Sequence, residues 1–169
     1  MKTQNTRALF MAQAAMIAAL YIVLTFVANA FGLANYAVQV RFSEALTILP
    51  YFTPAAIPGL FIGCLLSNIL TGCALPDIVF GSLATLLGAL GTYSLRRWKW
   101  CAPLPPILAN TIIVPLVLIY GYGLTIEGIS ILQCYGYYCL TVGAGEVISC
   151  GILGMILLSV LEKYKGRIF

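Results

Sequence analysis

Apolar residues in this chain run in long blocks, interrupted by short clusters of charge and proline. They do not alternate with polar ones. The first block, Ala8 to Phe31, follows Arg7 directly. It resembles a signal peptide, and Ala28-Asn29-Ala30 mimics a cleavage site. The block exceeds the ~7–15-residue apolar region of such peptides, so it reads as a retained span. Pro76 to Leu95 and Pro103 to Tyr122 are further blocks, and a last one begins near Tyr135 and ends at Leu161. Ala45 to Thr71 carries no charge, but Pro50, Pro54 and Pro58 fall inside it. Proline removes a backbone donor and clashes with the preceding turn, so one straight helix cannot hold all three. Lipid offers no substitute hydrogen-bond partner, so the break lies at an interface or inside protein. The pattern predicts an all-α, polytopic membrane protein of one domain, 1–169, with spans over 8–31, 43–53, 55–71, 76–95, 103–122 and 135–161.

Composition narrows the class. Hydrophobic residues make up 62% of the chain and charged ones 8%. A soluble domain carries about 25% charged residues, and disorder requires low hydrophobicity, so both are excluded. The charges settle the number of spans, because cytoplasmic loops collect Lys and Arg. Six spans with both termini cytoplasmic put Lys2, Arg7, Arg96, Arg97, Lys99, Lys163, Lys165 and Arg167 inside and Arg41 alone outside. Five spans would move the last two clusters outside. With six, Trp98 and Trp100 sit at the inner interface, where indoles are favoured. The clusters form no continuous basic face for nucleic acid. No repeat or inverted repeat is visible.

The chain contains no His, so a His metal site or proton relay is excluded. Its six Cys show no C-x-x-C spacing and read as small apolar residues of a bundle. There is no phosphate-binding loop of the G-x-x-x-x-G-K-[ST] type. Active transport therefore needs an external motor or an ion gradient. No catalytic set assembles, and neither a cofactor nor a metal is expected.

Polar residues at membrane depth are costly and are functional candidates by default. At ~1.5 Å per helical residue, Glu146 lies roughly 24 Å above Glu162, Asp77 about 28 Å above Arg96, and Asn68 ~21 Å above Pro54. Arg41 and Glu44 flank the outer start of the second span. These groups reach one level in the outer third of the bilayer, whereas Asn110 counts closer to the inner half. Tyr36, Tyr120, Tyr122, Tyr135, Tyr137 and Tyr138 gather near the outer level, where rings can stack on a flat ligand while carboxylates and amides read its edge. Structural readings stand beside these. Arg41 and Glu44, three residues apart, suit a pair at a helix entry. Asp77, after Pro76, suits a helix N-cap. The tyrosines suit an interfacial belt, and Glu127 suits a solvated loop. Glu146, in Gly143-Ala144-Gly145-Glu146, has no cation near it in sequence and is the hardest to explain structurally. Ala8, Ala12, Ala15 and Ala19 share a helix face where another helix can approach closely, either within the bundle or on a partner.

Several blocks resemble the QueT family: Val40 to Pro50, Phe52 to Cys64 followed by Asn68, Asp77 to Leu86, Leu104-Pro105-Pro106 with Asn110, and Gly145 to Cys150. The resemblance covers most of the chain in the family's order and includes polar positions. It implies a substrate-binding S component of an energy-coupling factor (ECF) transporter in the bacterial cell membrane. Such a component has about six helices and captures a queuosine precursor, a 7-deazaguanine base or queuine, near the outer face. It also implies partners: a transmembrane scaffold subunit docked on an A-x-x-x-A face of the first helix, and two cytoplasmic ATPases. Ala8/Ala12, Ala15/Ala19 and Ala14/Ala18 all match that pattern. The expected substrate-binding residues are Glu146, Asn68, Asp77, Arg41, Glu44 and Tyr138. The competing readings are an S component for another vitamin-like ligand, and a small membrane scaffold with no ligand.

Overall fold

The computed structural model describes residues 2–32 and 40–164, with side chains from Thr6 onward. Tyr36, Lys165 and Arg167 lie outside the described residues, as does the side chain of Lys2. The described chain is helical, with no strand. Its helices are α1 (Lys2–Ala30), α2 (Ala56–Leu70), α3 (Leu75–Ser94), α4 (Leu104–Leu116), α5 (Ile131–Glu146) and α6 (Gly154–Glu162). A π-helical turn, Val117–Gly121, extends α4, and a second, Val147–Leu153, joins α5 to α6 without a break. A 3-10 helix, Phe42–Tyr51, stands between α1 and α2.

Among the described residues, four helical stretches are long and apolar enough to cross a membrane: Thr6–Ala30, Leu75–Ser94, Lys99–Gly121 and Ile131–Glu162. The chain is a multi-pass membrane protein. α2, with 15 residues, is about 22 Å long, shorter than a ~30 Å hydrocarbon core. Large apolar side chains such as Leu9, Met16, Leu70, Leu87, Leu108 and Ile156 point outward. In a membrane protein that surface faces lipid tails.

The 3-10 helix has no outward face, since Ser43 through Pro50 are all buried. It packs against α1, α2, α3, α6 and the second π segment. Runs of this helix type longer than 3–4 residues are uncommon. Here local chemistry favours the tighter winding. Thr47 Oγ1 donates to the Glu44 carbonyl at 2.6 Å, and Pro50 in the last turn has no N–H to give. Pro54 lies in the turn that follows, and Pro58 sits in the first turn of α2, where a missing donor is harmless. Thr53 Oγ1 ties this turn to α1 by donating to Gln13 Oε1 at 3.1 Å.

α1 turns Ile17, Ala18, Tyr21, Thr25 and Ala28 inward, the i, i+4, i+8 spacing of one helix face. That face meets Gly59-x-x-x-Gly63 of α2. A Cβ on Gly59 would lie 2.7 Å from the Ala14 carbonyl oxygen, and one on Gly63 2.8 Å from Tyr21 Cβ. Small residues four apart therefore set how closely these helices approach. Ala14 and Ala18 belong to this internal contact, whereas Ala8, Ala12, Ala15 and Ala19 are all exposed.

At the opposite end from Arg41, Lys99 pairs with Glu162, and Tyr51 Oη donates to the same carboxylate at 3.4 Å. Trp98 and Trp100 are exposed nearby, as expected of interfacial indoles. Ala102 is fully buried, and its carbonyl accepts from Thr92 Oγ1 at 2.9 Å. The chain has thus re-entered the bundle before α4 begins.

Candidate functional site

A cavity of about 530 Å³ opens between α1, α2, α3 and the end of α4. Thr25 and Asn29 of α1, Asn68 of α2 and Asp77 of α3 supply its polar wall, together with Arg41, which precedes the 3-10 helix. Val114 and Leu118 give it an apolar side, and Tyr122 stands at its edge. Ligand sites commonly occupy about 300–1,000 Å³ and combine apolar walls with a few convergent polar groups. Beside this cavity lies a void of about 10 Å³ lined by Arg41, Glu44, Gly81, Thr85, Asn110 and Glu146. Arg41 lines both spaces.

The void is built around one amide. Asn110 Nδ2 donates to Glu146 Oε1 at 3.0 Å and to Glu44 Oε2 at 3.4 Å. Tyr21 Oη donates to Glu44 Oε1. Cys150 Sγ donates to Glu146 Oε2 at 3.1 Å. Two carboxylates from distant parts of the chain thus face each other across a shared donor. Both are buried, at 2% and 7% exposure, where an unpaired charge is expensive. The second π turn contributes to this arrangement, since it begins immediately after Glu146 and holds both Ser149 and Cys150. Single π turns inside α-helices recur at functional sites.

Glu44, Glu146 and Cys150 also bring three ligand-type atoms within 4.8 Å of one another. All three are engaged in hydrogen bonds, and Arg41 shares their void. The arrangement suits hydrogen-bond recognition better than capture of a cation.

At the other wall Asn68 Nδ2 donates to the Asp77 carbonyl at 3.3 Å. Tyr122 Oη donates to Asp77 Oδ2 at 3.2 Å and accepts from the Ala74 N–H at 3.0 Å. Tyr122 follows the membrane-spanning stretch, and burial, aided by the Asp77 charge, pushes its hydroxyl up to about 12. It therefore stays protonated, and a donor, at neutral pH. The N-cap of α3 is Ala74, and Asp77 caps no backbone group. The capping explanation for Asp77 does not hold. Nor do Arg41 and Glu44 satisfy each other, because no ion pair joins them among the described residues.

The structure brings Arg41, Glu44, Asn68, Asp77 and Glu146 to these two adjoining spaces. Tyr138 does not join them. It packs edge-on against Tyr137 with ring centroids 5.6 Å apart and lines neither space. It stands eight residues before Glu146, about 80° around the helix at 3.6 residues per turn. Tyr120 and Tyr135 line a shallow apolar groove instead, and Tyr122 is the tyrosine at the cavity. Asn110 corrects the depth count. It is 4% exposed and lies at the centre of the carboxylate pair, not nearer the inner side. The chain is already buried at Ala102, before α4 begins, so the basic loop is a poor origin for the count.

A model of the QueT transporter family matches residues 11–163. Over 86 residues the chain is 34% identical to the Queuosine precursor transporter QueT of Lactococcus lactis subsp. cremoris (strain MG1363). That alignment covers 50% of each protein, so the chain spans about half the length of this curated relative. No solved structure matches. The family match runs from the third turn of α1 to the residue after α6, across both groups of site residues, and on that extent the chain belongs to the QueT transporter family.

Proposed function

We propose that the protein is the substrate-capturing S component of an ECF-type importer and binds a queuosine precursor, a 7-deazaguanine base or queuine, from the outside of a bacterial plasma membrane. The observation that carries this reading is the cavity bounded by Arg41, Asn68 and Asp77, with the Glu44–Asn110–Glu146 group adjoining it. The edge of a deazaguanine presents adjacent N–H donors. A carboxylate accepts two such bonds at once, and charge-assisted bonds are roughly twice as strong as neutral ones. Glu146, backed by Glu44 and Asn110, is suited to that edge. Arg41 is suited to the ring carbonyl. Asn68 Oδ1, which accepts no hydrogen bond among the described residues, can take a further N–H. The name of the Lactococcus relative supports the ligand class.

Transport then requires a motor on other chains. The exposed face Ala8, Ala12, Ala15 and Ala19 supports docking of a transmembrane scaffold subunit that carries two cytoplasmic ATPases. Its small side chains let a partner helix come close, as Gly59 and Gly63 do on the internal side. The basic clusters support an orientation with both termini in the cytoplasm. The role is capture and delivery of a ligand, not catalysis.

Calorimetric titration of the purified, detergent-solubilised protein with queuine, the 7-aminomethyl base and the 7-cyano base tests this, with riboflavin as the control. Saturable binding of at least one deazaguanine, lost in Glu146→Gln, is the expected result. Folded protein that binds none of them overturns the reading.

A further inference from the structure

We infer that Asp77 is the counter-ion for a protonated amine on the ligand, so that the cavity selects a cationic base over a neutral one. The inference rests on the deazaguanine reading above and specifies which members of that class the protein takes.

The first support is an unmatched charge. The two spaces are lined by three carboxylates, Glu44, Asp77 and Glu146, and by a single guanidinium, Arg41. A low-dielectric interior tolerates buried charge only when it is paired. Glu44 and Glu146 have Asn110, Tyr21 and Cys150 around them, and the guanidinium borders both spaces. The Asp77 carboxylate accepts from Tyr122 alone and joins no ion pair among the described residues.

The second is its free oxygen. Asp77 is 6% exposed and lines the cavity. Its Oδ2 accepts from Tyr122, but Oδ1 has no hydrogen-bond partner among the described residues. Gly81, one turn further along α3, leaves the approach to that oxygen open. A Cβ there would stand 2.9 Å from Oδ1 and 3.4 Å from Asn68 Nδ2.

The third is separation. Asp77 lines the large cavity, whereas Glu44 and Glu146 line the small void, with Arg41 common to both. A planar base whose hydrogen-bonding edge engages the Glu146 side can direct its 7-substituent toward the Asp77 wall. An aminomethyl group, or the secondary amine of queuine, places an ammonium there. A nitrile places none and leaves the carboxylate desolvated without compensation.

Competition binding on the full-length protein in detergent tests this, using the 7-aminomethyl and 7-cyano bases against wild type and Asp77→Asn. The asparagine keeps an acceptor for Tyr122 and removes the charge. Wild type is expected to prefer the aminomethyl base by at least about tenfold, and Asp77→Asn to lose that preference while still binding the cyano base. The wild-type comparison needs no variant to fold. Equal affinity of wild type for both bases overturns the inference and leaves the proposed function standing. An amine preference that survives in Asp77→Asn also overturns it. Binding of neither base, with queuine also failing to bind, removes the deazaguanine reading and this inference with it.

Discussion

The backbone N–H of Arg41 donates to the hydroxyl of Ser149 at 3.2 Å, joining two positions 108 residues apart. Arg41 is the N-cap of the 3-10 helix and has no side-chain cap of its own, while Ser149 lies within the second π turn. The bond therefore fixes where the guanidinium enters the cavity. Ser149→Ala leaves this N–H without its partner, a change typically costing about 1–3 kcal/mol. The variant is expected to melt at lower temperature in detergent and to bind ligand more weakly. An unchanged melting point would show that Arg41 is held by other means.

Asn110 holds two carboxylates in place with one amide. Asn110→Leu removes that donor at similar volume and leaves Glu44 and Glu146 opposed. Affinity is expected to fall by tenfold or more, about 1.4 kcal/mol. Asn110→Asp introduces a third carboxylate and is expected to lose more. Titration calorimetry on both variants checks the order, and the reverse order would sink the account of Asn110 as a shared donor.

The contact between α1 and α2 also bears on the site, through Tyr21, which donates to Glu44. Gly63→Ala would place a methyl 2.8 Å from Tyr21 Cβ and 3.1 Å from Ala18 Cα. Overpacking of this kind costs typically 1–3 kcal/mol. Thermal unfolding is expected to show the loss, with a weakened ligand response because the Tyr21 hydroxyl shifts. A variant as stable as wild type would mean that the two helices separate at little cost.

Ala15 faces outward, unlike its neighbour Ala14. Ala15→Trp is expected to bind ligand like wild type yet fail to co-purify with the scaffold subunit and ATPases of the proposed importer. Loss of ligand binding in this variant would place Ala15 in the fold of the bundle and not on a docking face.

The long spans were legible in the sequence because apolar blocks of that length have few other uses. Glu146 was legible because nothing in its sequence neighbourhood could balance it. Asp77 and Asn68 stood out for the same reason, as polar groups at costly depth. The position of Asn110 was not, because counting depth along an axis assumes that each helix starts at the membrane edge and runs straight. Ala102 is already buried before α4 starts, and π turns change the phase of both later spans. The choice of Tyr122 over Tyr138 was hidden for a related reason, since it depends on how a helix ends and not on which residues are aromatic. Tyr21, Ser149 and Cys150 carry no sequence signal that separates them from ordinary bundle residues. Their roles arise only from contacts between distant segments.

The 3-10 helix Phe42–Tyr51 imposes an order on biogenesis. Its residues Ser43 to Pro50, Glu44 among them, are all covered by protein. Its lasting neighbours include α6 and the turn Val147–Leu153, which are synthesised about a hundred residues later. Until those residues are made, its partners are confined to α1, α2 and α3. α6 lends the cavity no lining residue, so a truncated or stalled chain lacking α6 keeps those walls but loses the last support of the segment that carries Arg41.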